Sequence, residues 1–139
     1  MILYVLDTDH LSLYQRGNAP IAARLARFPG QQTAMSLITA EELMRGRLAR
    51  IRASRDENEC IQAYKHLRET IGLISSFRLL DYDTNASVIY ESLRQQKLRV
   101  GTQDLRIAAV ALAHSATVVT RNQQHFGQVS GLKLEDWTK

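Results

Sequence analysis

Apolar residues in this chain fall into short continuous runs separated by longer stretches in which they recur every three or four positions. Ile2 to Leu6 is such a run and ends directly on Asp7; Thr33 to Ser36, Arg78 to Leu80, Thr117 to Thr120 and Leu132 to Leu134 are shorter ones. Runs of this length bounded by polar or turn residues predict strands, the last at an edge. Helices are predicted over Asp9 to Arg16, Ala19 to Phe28, Thr39 to Arg50, Glu57 to Ile74, Thr84 to Lys97 and Gln103 to His114. In the last of these Ile107, Ala108, Ala111 and Leu112 trace one helical face. Asn18 is placed to cap the second helix with Pro20 in its first turn, and Pro29-Gly30 stops it. Strands alternating with helices predict an α/β fold: a parallel sheet of four to five strands, covered on both faces. In such sheets ligands bind beyond the carboxyl ends of the strands.

That rule gives an address to several acids. Asp7 stands at the end of the first strand and Asp9 two residues on; either of them, or Thr8, could cap the following helix. Glu42, in SLITAEELMRG, fits a capping box with Thr39, while Glu41 reads as a solvated first-turn acid. Asp104, in GTQDLRIAAVAL, suits a helix first turn that Thr102 could cap, yet it stands one turn before Ile107 and Ala108, on the stripe that must face the sheet. Asn122, in TVVTRNQQHF, follows the fourth strand and fits a turn or a cap; Thr120 is a strand-end hydroxyl. All these positions share one sheet edge. Three carboxylates gathered there repel one another strongly in a partly dry cleft unless protonated or neutralised by a cation, and the hard ions Mg²⁺ or Mn²⁺ suit oxygen ligands. The four histidines, His10, His66, His114 and His125, show no zinc-type spacing, and the single Cys60 can build neither a zinc site nor an internal disulfide.

The remaining composition narrows the setting. The 139 residues hold no repeat, no low-complexity segment and only two prolines, so one domain over 1–139 is expected. No apolar run approaches the ~18 residues of a membrane span, and Met1 leads straight into the first strand, so a soluble, cytoplasmic protein is expected. Eighteen Lys and Arg against 14 Asp and Glu, a net charge of +4, permit a polyanionic partner without requiring one. Arg45, Arg47, Arg50, Arg52 and Arg55 crowd one stretch. They read as a solvated helix face, a grip on RNA phosphates, or a surface for an acidic partner segment.

Taken in order, VLDTDHLS, SLITAEELMRG, GTQDLRIAAVALA, VVTRNQQHF and GLKLEDW resemble the PIN-domain family over essentially the whole chain, and within it the VapC-type toxins of bacterial toxin–antitoxin pairs. The resemblance implies a three-layer α/β/α fold and a metal-dependent endoribonuclease. It implies that Asp7, Glu42 and Asp104 carry the metal, Glu42 rather than Glu41 because it precedes Leu43 as the family's glutamate precedes its leucine. Asp9 and Asn122 would hold water or a carboxylate in place. Many PIN domains carry a fourth acid where this chain has Asn122, which brings no charge toward a second ion; VapC-like members often carry Asn there. The resemblance further implies an RNA substrate, with tRNA the first choice, a VapB-like antitoxin and a homodimer. Leu37, Leu43, Leu48 and Ile51 offer either core or partner surface. Two rivals stand beside this reading: a catalytically inactive PIN-fold RNA-binding module, and a receiver-like phosphoacceptor using Asp81 or Asp83 after the third strand.

Overall fold

The computed structural model describes residues 1–139. Its elements in chain order are β1 Tyr4–Leu6, α1 Thr8–Gln15, α2 Ala19–Ala26, a 3-10 turn Gly30–Gln32, β2 Thr33–Ser36, α3 Leu37–Arg52, α4 Glu57–Ser76, β3 Arg78–Leu80, α5 Thr84–Gln95, α6 Thr102–Ala113, β4 Thr117–Val119, α7 Gln123–Phe126 and β5 Lys133–Glu135. No helix is long and apolar enough to cross a membrane.

The five strands form one sheet in the order β3-β2-β1-β4-β5, every pair parallel. The first strand, buried at every position, is the middle of it. Alternation along β1 divides the core: Val5 joins Ala34 and Val118 against Tyr90 and Leu93 of α5 and Leu105 and Ala108 of α6. Tyr4 and Leu6 point the other way, joining Met35 and Val119 against Leu11 of α1, Ile21 of α2 and Leu43 of α3. The result is the expected α/β/α arrangement. On the second face Trp137 is fully buried, stacked on Phe28 with ring centroids 5.6 Å apart and tilted against Tyr4 at 5.1 Å. Such aromatic pairs add about 0.5–1.5 kcal/mol each beyond the area they bury.

From β1 the chain steps outward through β2 to β3, then returns across the sheet to lay β4 on the other side of β1. The crevice between the carboxyl ends of β1 and β4, where the winding reverses, is the place such sheets reserve for ligands.

The boundaries depart from expectation for identifiable reasons. The first strand begins at Tyr4, two residues late, because Ile2 is exposed and its carbonyl meets only the Gln32 side chain. The third helix begins at Leu37, two residues early, because Ser36 caps it by accepting the Thr39 amide at 3.1 Å. α7 was not anticipated; it is a single turn. Asp83 caps α5 through the Ala86 amide at 3.0 Å, and β3 lies at the sheet edge, so the receiver-like reading lacks the central-strand acid it requires.

Candidate functional site at the carboxyl edge of the sheet

Asp7 leaves β1 with its amide still donating to the Val119 carbonyl at 3.1 Å, so the ladder with β4 carries one residue past the strand. That fixes the side chain at the crevice, where it is buried. One oxygen, Oδ1, caps α1 by accepting the His10 amide at 2.9 Å, and Oδ2 accepts the Thr120 hydroxyl at 2.6 Å. One oxygen of Asp7 thus caps α1 while the other is held by Thr120 at the carboxyl edge of the sheet.

Glu42 does not close a capping box. With Ser36 as the cap, Thr39 lies inside the helix and fully buried, which frees Glu42 to turn toward β1. Its Oε1 accepts the Thr8 hydroxyl at 2.7 Å. Thr8, between the two acids of the opening motif, thus ties α1 to α3 across 34 positions of sequence.

Asp104 sits in the first turn of α6, where Gly101 rather than Thr102 takes the cap position without a side-chain bond. Its carboxylate accepts no hydrogen bond from the protein. Burial, then the negative charges of Glu42 and Asp7, push its carboxyl above the usual range, with His125 opposing. The three acids are thus electrostatically joined, and no Lys or Arg forms an ion pair with any of them.

Asn122 follows β4, its amide donating to the Thr120 hydroxyl at 2.9 Å and its Nδ2 facing Nδ1 of His125 at 3.0 Å. It does not cap α7 through its side chain. Asp9 lies beside Asp7 and is forked by Arg121 at 2.7 and 2.9 Å, an ion pair the sequence did not announce. Thr8 and His10 were not read as site groups from sequence, since their partners lie far along the chain.

Asp7, Glu42 and Asp104 offer only oxygen donors and form no ion pair with Lys or Arg, a chemistry that fits a hard divalent ion. Asp7, Asp9 and His10 form the one trio whose ligand-type atoms all lie within 4.8 Å; Asp7, Glu42 and Asp104 stand farther apart than that. The chemistry of the tighter trio fits less well, because Asp9 is held by Arg121 and Nε2 of His10 accepts the Trp137 amide.

The basic cluster divides. Arg45 pairs with Glu41, and Arg55 with Glu59 at 3.0 Å. Arg47 turns inward, donating to Thr70 at 2.8 Å and Gln15 at 3.0 Å; burial, with Arg16 and Arg50 nearby, draws its pKa down. Arg47, Arg50 and Arg52 are without an ion pair, and of these Arg50 and Arg52 also make no side-chain hydrogen bond. Of the apolar candidates, Leu43 is core, while Leu37 and Leu48 are exposed.

The PIN domain family model matches residues 4–132. Ribonuclease VapC1 of Haemophilus influenzae (strain R2866) is 31% identical over 143 residues, covering 99% of this chain and 100% of that protein. The tRNA(fMet)-specific endonuclease VapC of Salmonella typhimurium (strain LT2) is also 31% identical over 143 residues, covering 99% of each. Among solved structures, DNA-bound VapBC from Salmonella typhimurium aligns with a TM-score of 0.82 at 27% identity, over 99% of each chain. The sheet order, the acids at its carboxyl edge and these full-length likenesses agree: the chain belongs to the PIN-domain family, among its VapC ribonucleases.

Proposed function

We propose that this chain, as one domain over 1–139, is the toxin of a type II toxin–antitoxin pair and a Mg²⁺- or Mn²⁺-dependent endoribonuclease acting on folded RNA, tRNA first among the candidates. What supports the proposal is that Glu42 and Asp7 bear electrostatically on half-buried Asp104 at the carboxyl edge of the sheet, with none of the three in an ion pair with Lys or Arg.

Asp7, Glu42 and Asp104 would hold the ion. When bound, it supplies a positive charge that activates water and offsets the charge developing on a phosphodiester and its leaving oxygen. The chain's own work is to keep the acids aimed. Thr120 and the His10 amide hold Asp7, and Thr8 holds Glu42. Asn122 has its Nδ2 on His125, and its Oδ1, which takes no hydrogen bond from the protein, would serve water or a ribose hydroxyl. Arg50 and Arg52 supply unpaired positive charge for more distant phosphates.

A VapB-like antitoxin is the proposed partner, and a homodimer the proposed assembly. Support comes from the VapBC complexes among the structural relatives and from an apolar groove between α3 and α4 lined by Leu37, Ala40, Met44, Ile71, Ile74 and Leu79.

Purified protein freed of antitoxin, incubated with total bacterial RNA in Mg²⁺, in Mn²⁺ and in EDTA, tests the reading. Discrete cuts that vanish in EDTA and in Asp7→Asn are expected. RNA binding without cleavage under any condition would instead support the inactive RNA-binding module.

A further inference from the structure

His10 is fully buried, and its Nδ1 is the one buried side-chain nitrogen or oxygen of the chain without a hydrogen-bond partner. Leaving such an atom unpaired costs about 1–3 kcal/mol, so its surroundings call for an explanation. The other ring nitrogen is engaged: the Trp137 amide donates to Nε2 at 3.1 Å. A nitrogen that accepts through its lone pair carries no proton, so the imidazole proton lies on Nδ1. That atom stands 3.5 Å from Oδ1 of Asp7. Asp136 also approaches, with Oδ1 3.6 Å from Nε2, but this oxygen already accepts the Thr138 amide at 2.9 Å and hydroxyl at 2.6 Å. The Trp137 amide is itself fixed, because its ring is stacked on Phe28 and its Nε1 donates to Glu135 at 2.9 Å.

We propose that His10 is a positioning residue for Asp7: the Trp137 amide locks the imidazole proton onto Nδ1, 3.5 Å from a carboxylate oxygen of Asp7, and the segment carrying Trp137 thereby sets the metal affinity of the site. The proposal rests on the reading of Asp7 as a metal ligand. A donor on the flank of a ligating carboxylate restricts its rotation, and loss of such an orienting group typically weakens metal binding by 10–100-fold.

Two substitutions separate the halves of the device. His10→Gln keeps a carbonyl oxygen within reach of the Trp137 amide and loses the donor toward Asp7, whereas His10→Asn keeps an N–H at the Nδ1 position and loses the acceptor. Direct Mn²⁺ titration of the full chain, by calorimetry and by electron paramagnetic resonance, should show His10→Gln weaker by about 10–100-fold and His10→Asn within about 3-fold of wild type. Equal affinities in His10→Gln and wild type, or equal losses in both variants, would overturn the proposal. Wild type that binds no Mn²⁺, or Asp7→Asn that binds like wild type, would instead overturn the metal reading of the site, and the proposal with it. Should the variants not fold, nitrogen-15 spectra of the wild-type imidazole decide: a proton on Nδ1 whose environment shifts on adding Mg²⁺ supports the proposal. A proton on Nε2, or no response to Mg²⁺, overturns it.

Discussion

The carboxyl edge of the sheet and the α3–α4 arm are both dense in charge, and the fold treats them in opposite ways. On the arm the protein engages three of its arginines itself: Arg45 pairs with Glu41, Arg55 with Glu59, and Arg47 is held by Thr70 and Gln15. At the edge Asp7 and Glu42 bear electrostatically on Asp104, and the groups that hydrogen-bond to these acids are hydroxyls and an amide, which orient two of them without cancelling charge. Charge density along a sequence therefore does not rank sites. What ranks them is whether the surrounding structure neutralises the charge or leaves it for a ligand.

The contrast can be broken most forcefully at the edge. Glu42→Gln and Asp104→Asn should each lower RNA cleavage by roughly 100-fold or more in single-turnover assays, with RNA affinity nearly unchanged. A cleavage rate that survives either change would place the chemistry elsewhere. On the arm, reversing Arg50 and Arg52 to Glu together should weaken RNA binding by about 10-fold and flatten the dependence of log affinity on log salt by about 1–2. Arg47→Met sharpens the comparison from the other side. It should leave that salt slope alone and cost about 1–3 kcal/mol of stability in urea unfolding, since it strips a part-buried hydrogen-bond network joining α1, α3 and α4.

The smallest effect is the most specific. Burial and the neighbouring acids raise the Asp104 carboxyl above its ordinary value of 3.8, so the folded chain holds that proton more tightly than the unfolded chain. Ionised Asp104 thus subtracts stability, fully so above the raised value and not at all well below 3.8. In metal-free buffer at pH 7, Asp104→Asn should raise Tm by about 2–4 °C, a modest figure because the group is only half-buried and solvent screens it. The gain should fade as pH drops through the raised value toward the ordinary one. A gain independent of pH would point to something other than charge.

Local pattern was enough to find the frame. An apolar run ending on an acid marked β1 and Asp7, and the stripe through Ile107 and Ala108 turned Asp104 toward the sheet. Errors arose where two local devices competed, as at the start of α3: Ser36 and Thr39 both carry capping hydroxyls, and the strand end at Ser36 decides which one caps. The groups that aim the acids were out of reach for a different reason. Thr8 finds Glu42, Thr120 finds Asp7 across 113 positions and Trp137 finds His10 across 127, and these meetings depend on the order of strands in the sheet, which no short window encodes. The Asp9 ion pair was out of reach likewise, because Arg121 meets Asp9 only once β4 lies beside β1.

The burial of Trp137 against Tyr4 and Phe28 has a consequence for biosynthesis. A chain still being made has its first strand long before it has its last aromatic ring, so this face of the core stays open until translation has passed residue 137. By the same token Nε2 of His10 has no amide to receive until then. A nascent chain that has not yet passed residue 137 therefore lacks the final surroundings of Asp7, even where its earlier strands have already paired.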